Sequence, residues 1–304
     1  MDSKKKILIT GSTGFIGKNI VQYLEDNYCI ISPSHRELDL LSQEKVTHFF
    51  DDNDIDFVIH CANFGGTRKS PGSGETIEKN LRMFSNLVEN RDYYNKLIHL
   101  GSGAEYNKKL NLQQVSEDEI GKNIPIDEYG FSKYLISKYI EENEKIYCLR
   151  LFGIFGKYED YEFKFISNAI VKNLLHLPIT IRQNVNFSWL YIDDLLKVLD
   201  YFLTQNPSFS SYNVTPHETV DLVSIAEMIN SLSDYQSDII IENEGLNLEY
   251  SGSNKRLASE MKNLKFTSME SALKDLMDYY KSIGSTINSD TIVQDNYASL
   301  CKIN

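Results

Sequence analysis

Tyr129 and Lys133 lie four residues apart in the segment 128–133. On a helix this spacing places both side chains on one face. A lysine ammonium held beside a phenol can lower its pKa, so that the tyrosine becomes a better proton donor near neutral pH. The same ammonium can also hold the ribose of a nicotinamide cofactor. We interpret the pair as candidate acid–base groups.

A glycine-rich segment near the N-terminus predicts a dinucleotide site. It follows the short apolar run of residues 7–9 and consists of Gly11, Ser12, Thr13, Gly14, Phe15, Ile16 and Gly17. After a strand, Gly11 would permit the tight turn, Gly14 the close approach of backbone to pyrophosphate, and Gly17 the packing of helix on strand. The free N–H groups of the following helix would then face the phosphates.

The end of the second predicted strand bears on the choice of dinucleotide. NAD sites usually place a carboxylate there, whereas NADP sites place a basic residue for the 2′-phosphate. Residues 32–36 contain no carboxylate, and Arg36 can pair with that phosphate or lie flat on adenine. Arg36 could equally be a solvated surface residue. We expect NADP(H), with NAD as the other option.

Composition indicates an ordinary globular protein. The 304 residues are 41% hydrophobic and 24% charged, and the net charge of −12 comes without a long basic run, which disfavours nucleic acid and anionic membranes as partners. The chain has no signal-peptide pattern and no apolar run long enough to span a membrane. The cysteines lack metal-ligand spacing, so we expect no metal, reduced thiols and a cytoplasmic location; they are Cys29, Cys61, Cys148 and Cys301.

The order of apolar runs and helical patterns predicts an α/β fold. Strands are expected at residues 7–9, 29–32, 57–62, 96–100 and 146–151, with helical patterns between them. Near-continuous apolar strands indicate a parallel sheet covered on both faces. We therefore predict a Rossmann-like, doubly wound domain over residues 1–155. Residues 156–304 would form mainly a smaller α/β substrate lobe, with some segments returning to the Rossmann core.

These motifs resemble the extended short-chain dehydrogenase/reductases that act on nucleotide sugars, from residue 7 to at least 194. Within that family the chain is most similar to the GDP-fucose synthase branch, through residues 36–40 and the Gly65-Gly66 pair. The other matching pieces are the glycine segment 11–17, residues 60–63, Asn80, Gly101-Ser102, Tyr129-x-x-x-Lys133 and residues 191–195.

The resemblance implies roles for individual residues. Ser102 would orient the sugar carbonyl, Tyr129 would act as the general acid/base, and Lys133 would bind ribose and tune the phenol. This agrees with the chemistry, because hydride addition to a ketone builds an alkoxide that needs a proton donor and a second hydrogen bond. The resemblance also implies cofactor contacts from Asp39 and Leu40 at the adenine, and from Cys61, Ala62 and Asn63 toward the nicotinamide half.

Two departures from the family narrow the predicted reaction. The 4,6-dehydratases of the family carry an Asp-Glu pair directly after the hydroxyl residue, where this chain has Gly103 and Ala104, which cannot transfer protons. Ala104 also replaces the cysteine with which GDP-fucose synthases epimerise the sugar, and residues 151–175 contain no histidine to act as the other acid/base. Both observations favour reduction without epimerisation.

Contacts to the substrate are expected from several further residues. Gly103 and Ala104 would lie beside the sugar. Trp189 either stacks on the base or sugar or packs in the core, and Asn168 either contacts the diphosphate or lies on the surface. Arg256 matches a family segment that sends a basic side chain to the diphosphate, although exposed Lys-Arg pairs are common.

The favoured hypothesis is an NADPH-dependent reductase of a nucleotide-activated 4-keto-6-deoxy sugar, hexose or heptose, that feeds surface polysaccharide. One alternative is a C4 epimerase that retains NAD and uses the same triad. Another is a non-catalytic dinucleotide-binding regulator. The resemblance also implies a homodimer joined through a four-helix bundle, to which each subunit contributes the helix of Tyr129 and the helix that begins near Ile77.

Overall fold

The computed structural model describes residues 4–66, 74–294 and 300–301. Over these residues the strands are β1 (Lys6–Thr10), β2 (Cys29–Ile31), β3 (Phe57–His60), β4 (Lys96–Ser102), β5 (Leu112–Val115), β6 (Ile146–Leu151), β7 (Gly153–Phe155), β8 (Ile179–Asn184), β9 (Asn186–Phe187), β10 (Trp189–Tyr191), β11 (Ser211–Val214), β12 (Val220–Asp221), β13 (Ile239–Leu246) and β14 (Tyr250–Gly252). The α-helices are α1 (Phe15–Leu24), α2 (Gln43–Asp52), α3 (Thr76–Glu89), α4 (Glu128–Glu141), α5 (Phe165–Leu174), α6 (Ile192–Thr204), α7 (Leu222–Ser231), α8 (Lys255–Glu260), α9 (Met269–Ser282) and α10 (Ser289–Val293).

The central sheet of the described chain has six strands in the order β11-β6-β4-β3-β1-β2, and every neighbouring pair is parallel. The chain adds β2 on one side of β1 and then crosses to add β3 on the other side. In open α/β sheets, ligands bind at the carboxyl ends of the strands beside such a reversal. The predicted α/β fold with a parallel, Rossmann-like sheet is confirmed.

Apolar side chains cover both faces of this sheet. Along β1, Ile7 and Ile9 join one core cluster while Leu8 joins the other, and along β3 Ile59 and Val58 divide in the same way. Helices α1, α5, α6, α7 and α9 contribute to the first cluster, and α2, α3 and α4 to the second. This alternation follows from the two-residue period of a strand and explains the continuous apolar runs in the sequence.

The C-terminal half builds smaller sheets but also completes the central one. The order β12-β9-β14-β5 forms a four-stranded sheet, β10 pairs with β7, and β13 pairs with β8. Strand β11 pairs with β6 at the edge of the central sheet, and the larger core cluster includes residues on both sides of residue 155. The division into two domains at that residue stays a prediction. Among the described residues, no helix combines the length and apolarity that a membrane span requires.

Candidate active site

Ser102 ends β4 and is fixed by a compact turn. Residues Gly103–Tyr106 form a single 3₁₀ turn in which the Ala104 N–H donates to Ser102 Oγ at 3.1 Å. The carboxylate of Glu105 returns to accept the Ser102 N–H at 2.8 Å. This reciprocal capping satisfies two backbone N–H groups at the start of the turn and holds the Ser102 hydroxyl at the carboxyl edge of the sheet.

Tyr129 and Lys133 reach the same place from α4. Asp127 caps this helix by accepting the Gly130 N–H at 3.0 Å. The phenol of Tyr129 lies within hydrogen-bonding reach of the Ser102 side chain. Lys133 Nζ lies 6.0 Å from the centre of the Tyr129 ring and donates to the Leu100 carbonyl at 2.8 Å. The structure therefore brings together the three residues predicted to form the triad.

Burial is the largest influence on the pKa values of Tyr129 and Lys133. Burial raises the pKa of Tyr129 to about 12, and the hydrogen bond with Ser102 opposes this rise. Burial lowers the pKa of Lys133 to about 8, against the opposing charge of Glu105. The prediction that Lys133 lowers the pKa of the phenol is wrong for the chain by itself. The reason is that the loss of hydration outweighs an ammonium whose hydrogen bond goes to a backbone carbonyl.

Two buried histidines extend behind Lys133. His99 Nε2 lies 3.4 Å from Lys133 Nζ, and the ring of His60 lies 5.3 Å from that of His99. His60 Nδ1 shares a hydrogen bond of 2.8 Å with Thr10 Oγ1. Burial lowers the pKa of His60 to about 3 and lowers that of His99 well below its usual range. Both rings are therefore neutral at physiological pH.

The loop after β3 lies over the catalytic tyrosine. Asn80 of α3 accepts the Phe64 N–H at 2.8 Å, donates to the Phe64 carbonyl at 3.1 Å and donates to Ser132 Oγ at 3.2 Å. These bonds join the loop to α3 and α4. Gly66 has φ +75° and its backbone is so close to the Tyr129 ring that a Cβ there would overlap it. Residues 67–73, which continue this loop, lie outside the described residues.

The glycine segment forms a cradle that fits a dinucleotide. Gly11 has φ +69°, and a Cβ there would lie 2.7 Å from the Ala62 nitrogen. A Cβ on Gly17 would overlap the Gly11 carbonyl, so the first turn of α1 packs directly on the strand end. Gly14, the N-cap of α1, is exposed, and the Gly11 carbonyl is the sole neighbour within 4 Å of a Cβ built on it. The exposed start of α1 at Gly14 is where the sequence predicts that backbone N–H groups face a pyrophosphate, and this contact stays a prediction.

The other residues of this segment flank the cradle. Ser12 and Thr13 lie in the turn, with Thr13 exposed, whereas Phe15 and Ile16 begin α1 and pack on the larger core cluster. The Ala62 N–H donates to Thr10 Oγ1 at 3.3 Å, next to the half-buried Cys61. Asn63 is exposed and donates to the Gly65 carbonyl at 2.8 Å. All of them lie at the carboxyl ends of β1 and β3.

In the loop after β2, the basic side chain of Arg36 is exposed, and the first carboxylate, that of Glu37, is hydrogen-bonded within the loop. Arg36 is exposed, whereas Glu37 turns back to accept the Ser34 N–H at 2.7 Å. Asp39 accepts the N–H of Leu41 at 3.1 Å. Leu40 is buried, and its carbonyl accepts a hydrogen bond of 2.8 Å from Asn86. The Leu40 side chain therefore belongs to the core beneath the expected adenine position.

Two predicted substrate contacts, Asn168 and Trp189, are engaged with other protein groups. Asn168 is buried and donates to the Tyr161 carbonyl at 3.0 Å. Trp189 donates its indole N–H to the Val220 carbonyl at 3.0 Å and packs against two phenylalanines, Phe155 and Phe187. These contacts favour the core interpretation of Trp189 over stacking on substrate.

Arg256 lies apart from the triad. Its guanidinium pairs with Asp118 at 2.8 Å, donates to the Ser211 carbonyl at 3.1 Å and stacks on Phe209, 4.4 Å from the ring centre. Ser211 is the first residue of β11, three residues before the strand's carboxyl end. The structure does not bring Arg256 to Ser102 and Tyr129, because Asp118 and the edge of β11 hold its side chain.

Sequence reasoning missed Tyr250, which lies in the site. Its phenol lies within hydrogen-bonding reach of the Ser102 side chain, and its oxygen would lie 2.7 Å from a Cβ built on Gly103. Phe152 packs on the same glycine, at 2.6 Å from that Cβ. Gly103 therefore makes room for two aromatic rings. Ala104 beside it is 2% exposed and presents no group that could transfer a proton. Tyr250 carries no local motif that could have identified it.

The family assignment follows from comparison with known proteins. Residues 7–215, more than half of the chain, match the NAD dependent epimerase/dehydratase family. The chain belongs to this family, whose members are extended short-chain dehydrogenase/reductases acting on nucleotide sugars. Family membership and the glycine cradle agree on a nicotinamide dinucleotide as the cofactor class. In the described residues, no cluster of three or more His, Cys, Asp or Glu side chains is arranged to hold a metal ion.

Individual relatives support the same class. GDP-L-colitose synthase of Yersinia pseudotuberculosis is 32% identical over 171 residues, which span 52% of this chain and 55% of that protein. A GDP-L-fucose synthetase structure from Naegleria fowleri superposes with a TM-score of 0.79 and 16% identity, covering 95% of this chain and 96% of that one. The GDP-mannoheptose C4 reductase structure from Campylobacter jejuni, with NADP bound, gives a TM-score of 0.78 at 18% identity, covering 92% and 99%.

Proposed function

We propose that this protein is an NADPH-dependent reductase of the C4 keto group of a nucleotide-activated 4-keto-6-deoxy sugar, GDP-linked, that acts without C3 or C5 epimerisation. The substrate class covers hexoses and heptoses, and the products would feed surface polysaccharide. The observation that carries the proposal is the convergence of Ser102, Tyr129 and Lys133 beside a buried Ala104. Ser102 and Tyr129 supply hydrogen-bond and proton donors for one carbonyl oxygen, and among the described residues the two positions that follow Ser102, Gly103 and Ala104, carry no acid–base group.

Each residue has a defined task in this reduction. The nicotinamide, when bound, supplies the hydride. The Ser102 hydroxyl donates to the carbonyl oxygen and polarises it, and Tyr129 gives its proton to the same oxygen as negative charge develops there. Because burial keeps the Tyr129 phenol protonated, it is ready as an acid before the substrate arrives. Lys133 remains hydrogen-bonded to Leu100 and offers its other N–H groups to the ribose.

The absence of epimerisation follows from chemistry at the neighbouring carbons. Epimerisation at C3 or C5 removes a proton from one face and returns one to the other, which requires acid–base side chains on both. Ala104 and Gly103 carry none. Of the six described histidines, His60 and His99 lie buried behind Lys133, His176 stacks on Tyr235, and the other three (His35, His48 and His217) are exposed. These positions support reduction without epimerisation at C3 or C5.

NADPH is proposed over NADH from the loop after β2. Arg36 is free to meet a 2′-phosphate, and the carboxylate of Glu37 is engaged with the Ser34 N–H. A carboxylate facing the ribose hydroxyls would have favoured NAD. A C4 epimerase would retain NAD and would show no net consumption of NADPH. Assays of NADPH consumption therefore distinguish it from the reductase.

A homodimer through α3 and α4 is also proposed. Tyr139 on α4 is 39% exposed although aromatic, and it packs edge-on against the buried Phe84 of α3. Pairing α3 and α4 with the same two helices of a second copy would cover Tyr139 and form a four-helix bundle. Sedimentation equilibrium of the wild type and of Tyr139→Glu tests this assembly, and a wild-type monomer at micromolar concentration would contradict it.

The experiment that tests the activity uses NADPH and freshly generated GDP-4-keto-6-deoxymannose in heavy water. The product is then returned to ordinary water and weighed by mass spectrometry. We expect a product heavier by two hydrogens than the ketone, with no deuterium on the ring beyond that found in an enzyme-free control. Tyr129→Phe should abolish NADPH consumption. Enzyme-dependent deuterium at C3 or C5 would refute reduction without epimerisation. Untouched NADPH would refute the reductase, and conversion of a GDP-linked 4-hydroxy sugar into its C4 epimer without added NADPH would indicate the epimerase.

A further inference from the structure

A hydroxyl from the C-terminal half of the chain completes the catalytic centre. Tyr250 opens β14, which pairs in parallel with β5 through Tyr250 and Leu112 and with β9 through Tyr250 and Phe187. Strand β5 follows directly on the turn of Ser102. The small four-stranded sheet thus delivers Tyr250 to a residue that lies far away in the sequence.

The ring of Tyr250 is held firmly. Its centre lies 5.2 Å from that of Phe152 and 5.8 Å from that of Phe187, in tilted and edge-on geometries that aromatic pairs prefer. Its oxygen lies over Gly103, in space that any larger side chain at position 103 would fill. The packing therefore directs the phenol toward the turn at Ser102.

Three hydroxyl groups converge in this site. The Ser102 hydroxyl lies within hydrogen-bonding reach of both phenols, those of Tyr129 and Tyr250, and a charge on Tyr129 would act on the phenol of Tyr250. Ser102 Oγ also accepts the Ala104 N–H. A serine hydroxyl has one hydrogen to donate, so its donor direction is decided by which of its neighbours donates to it.

We propose that Tyr250 is a positioning residue that donates its phenol hydrogen to Ser102 Oγ and thereby directs the single Ser102 hydrogen to the substrate carbonyl. This inference rests on the proposed reductase function. When the carbonyl oxygen enters, Ser102 donates to it, and Tyr250 supplies the hydrogen bond that Ser102 Oγ then accepts. Chains of such bonds polarise one another, which strengthens the bond to the carbonyl as charge builds on its oxygen.

The environment keeps Tyr250 in the form that this task requires. Burial raises the pKa of its phenol far above the usual range, although the hydrogen bond with Ser102 opposes the rise. The phenol therefore remains a neutral hydrogen-bond donor. Tyr129 lies on the same helix as Lys133, whose Nζ is 6.0 Å from the Tyr129 ring centre, and this placement assigns proton transfer to Tyr129 and orientation to Tyr250.

The test is a kinetic cycle with Ser102→Ala, Tyr250→Phe and the double variant. Phenylalanine preserves the ring packing and removes only the hydroxyl. We expect Tyr250→Phe to lower kcat about tenfold and to leave the KM for NADPH unchanged. In the Ser102→Ala background, the same substitution should cause no further loss of kcat. Tyr94→Phe is the matched control, because Tyr94 is also buried and loses one hydrogen bond, to the Leu87 carbonyl, away from the site. Additive losses in the double variant, or an unchanged kcat in Tyr250→Phe, would overturn the inference.

A second measurement does not depend on turnover. With ¹³Cζ-labelled tyrosine, the Tyr129 signal is identified as the one lost in Tyr129→Phe. Removing the Tyr250 hydroxyl should free Ser102 to donate to Tyr129 and should shift that signal, whereas the same change in the Ser102→Ala background should not. A Tyr129 signal that does not shift when the Tyr250 hydroxyl is removed would refute the inference that both phenols interact with the Ser102 hydroxyl. If wild-type protein reduces no nucleotide ketosugar while the signal responds, the proposed function fails and the Tyr250 contact stands.

Discussion

Glu105 and Arg150 form an ion pair of 2.6 Å in which both side chains are fully buried, directly behind the turn of Ser102. The other carboxylate oxygen of Glu105 accepts the Ser102 N–H, and Arg150 also donates to Ser137 Oγ on α4. The pair therefore links the turn of Ser102 to the helix that carries Tyr129 and Lys133.

Glu105→Gln is expected to lower the free energy of unfolding by about 3 kcal/mol, because removing one partner leaves a buried charge without compensation. Glu141 approaches Arg150 at 3.4 Å and offsets only part of this loss, since it is partly exposed. Urea denaturation measures the change. The control is Glu78→Gln, which breaks an exposed pair with Arg82 on α3 and should leave the unfolding free energy nearly unchanged. Equal effects for the two variants would contradict a structural role for the buried pair.

Gly66→Ala should lower kcat at least about tenfold. The new methyl group would overlap the Tyr129 ring and displace the phenol from Ser102, and misplacement of a catalytic group is costly. Gly74→Ala is the matched control, because Gly74 has φ +77°, similar to the +75° of Gly66, with no atom within 4 Å of the new methyl. Both variants carry backbone strain of about 1 kcal/mol. Steady-state kinetics and thermal unfolding of the pair separate strain from displacement, and equal kcat values would refute the displacement.

Arg36→Ala should raise the KM for NADPH about tenfold and leave the KM for NADH within a factor of about two, because only the phosphorylated ribose meets the guanidinium. The difference between wild type and variant should shrink at high salt, since the contact is exposed. Arg82→Ala, an exposed arginine on α3, serves as the control. Equal losses with both cofactors would show that Arg36 lies on adenine and does not select NADP.

Because His60 and His99 are buried, we expect the free energy of unfolding to fall in acid. His60 has a folded pKa of about 3 against an ordinary 6.5, so between these values the unfolded chain binds more protons than the folded one. The contribution is therefore fully present above pH 6.5 and is lost as the pH falls toward 3, at up to about 1.4 kcal/mol per pH unit. Unfolding free energies at pH 4.5 and 7.5 should differ less in His60→Gln than in wild type. His48→Gln, at an exposed position, should keep the wild-type difference.

The sequence predicted the parallel sheet and the triad because both leave local signals. Residues 57–62 and 96–100 read as strands because sheet burial makes them continuously apolar, and their ends matched β3 and β4 to within two residues. Tyr129 and Lys133 are visible because one helix carries both. Ser102 was found at the end of a predicted strand, where catalytic groups of such sheets collect.

Contacts between distant segments could not be predicted in the same way. Tyr250 reaches Ser102 only because β14 pairs with β5, and one tyrosine among 19 carries no mark of that pairing. Arg256 matched a family segment, but the sequence does not reveal that Asp118 pairs with its guanidinium. The pKa of Tyr129 depends on how much hydration the folded chain removes, a quantity that the spacing of two residues does not contain.

The pairing of β11 with β6 has a consequence for synthesis of the chain. Until residues 211–214 have left the ribosome, β6 presents an unpaired edge and the apolar helices of the larger cluster lack their partners. The nucleotide-binding half therefore cannot reach its final form before residue 214 has emerged, and until then its exposed strand edge is open to association with other nascent chains. For the same reason, a gene fragment ending near residue 155 should yield an aggregating product in place of a compact dinucleotide-binding module.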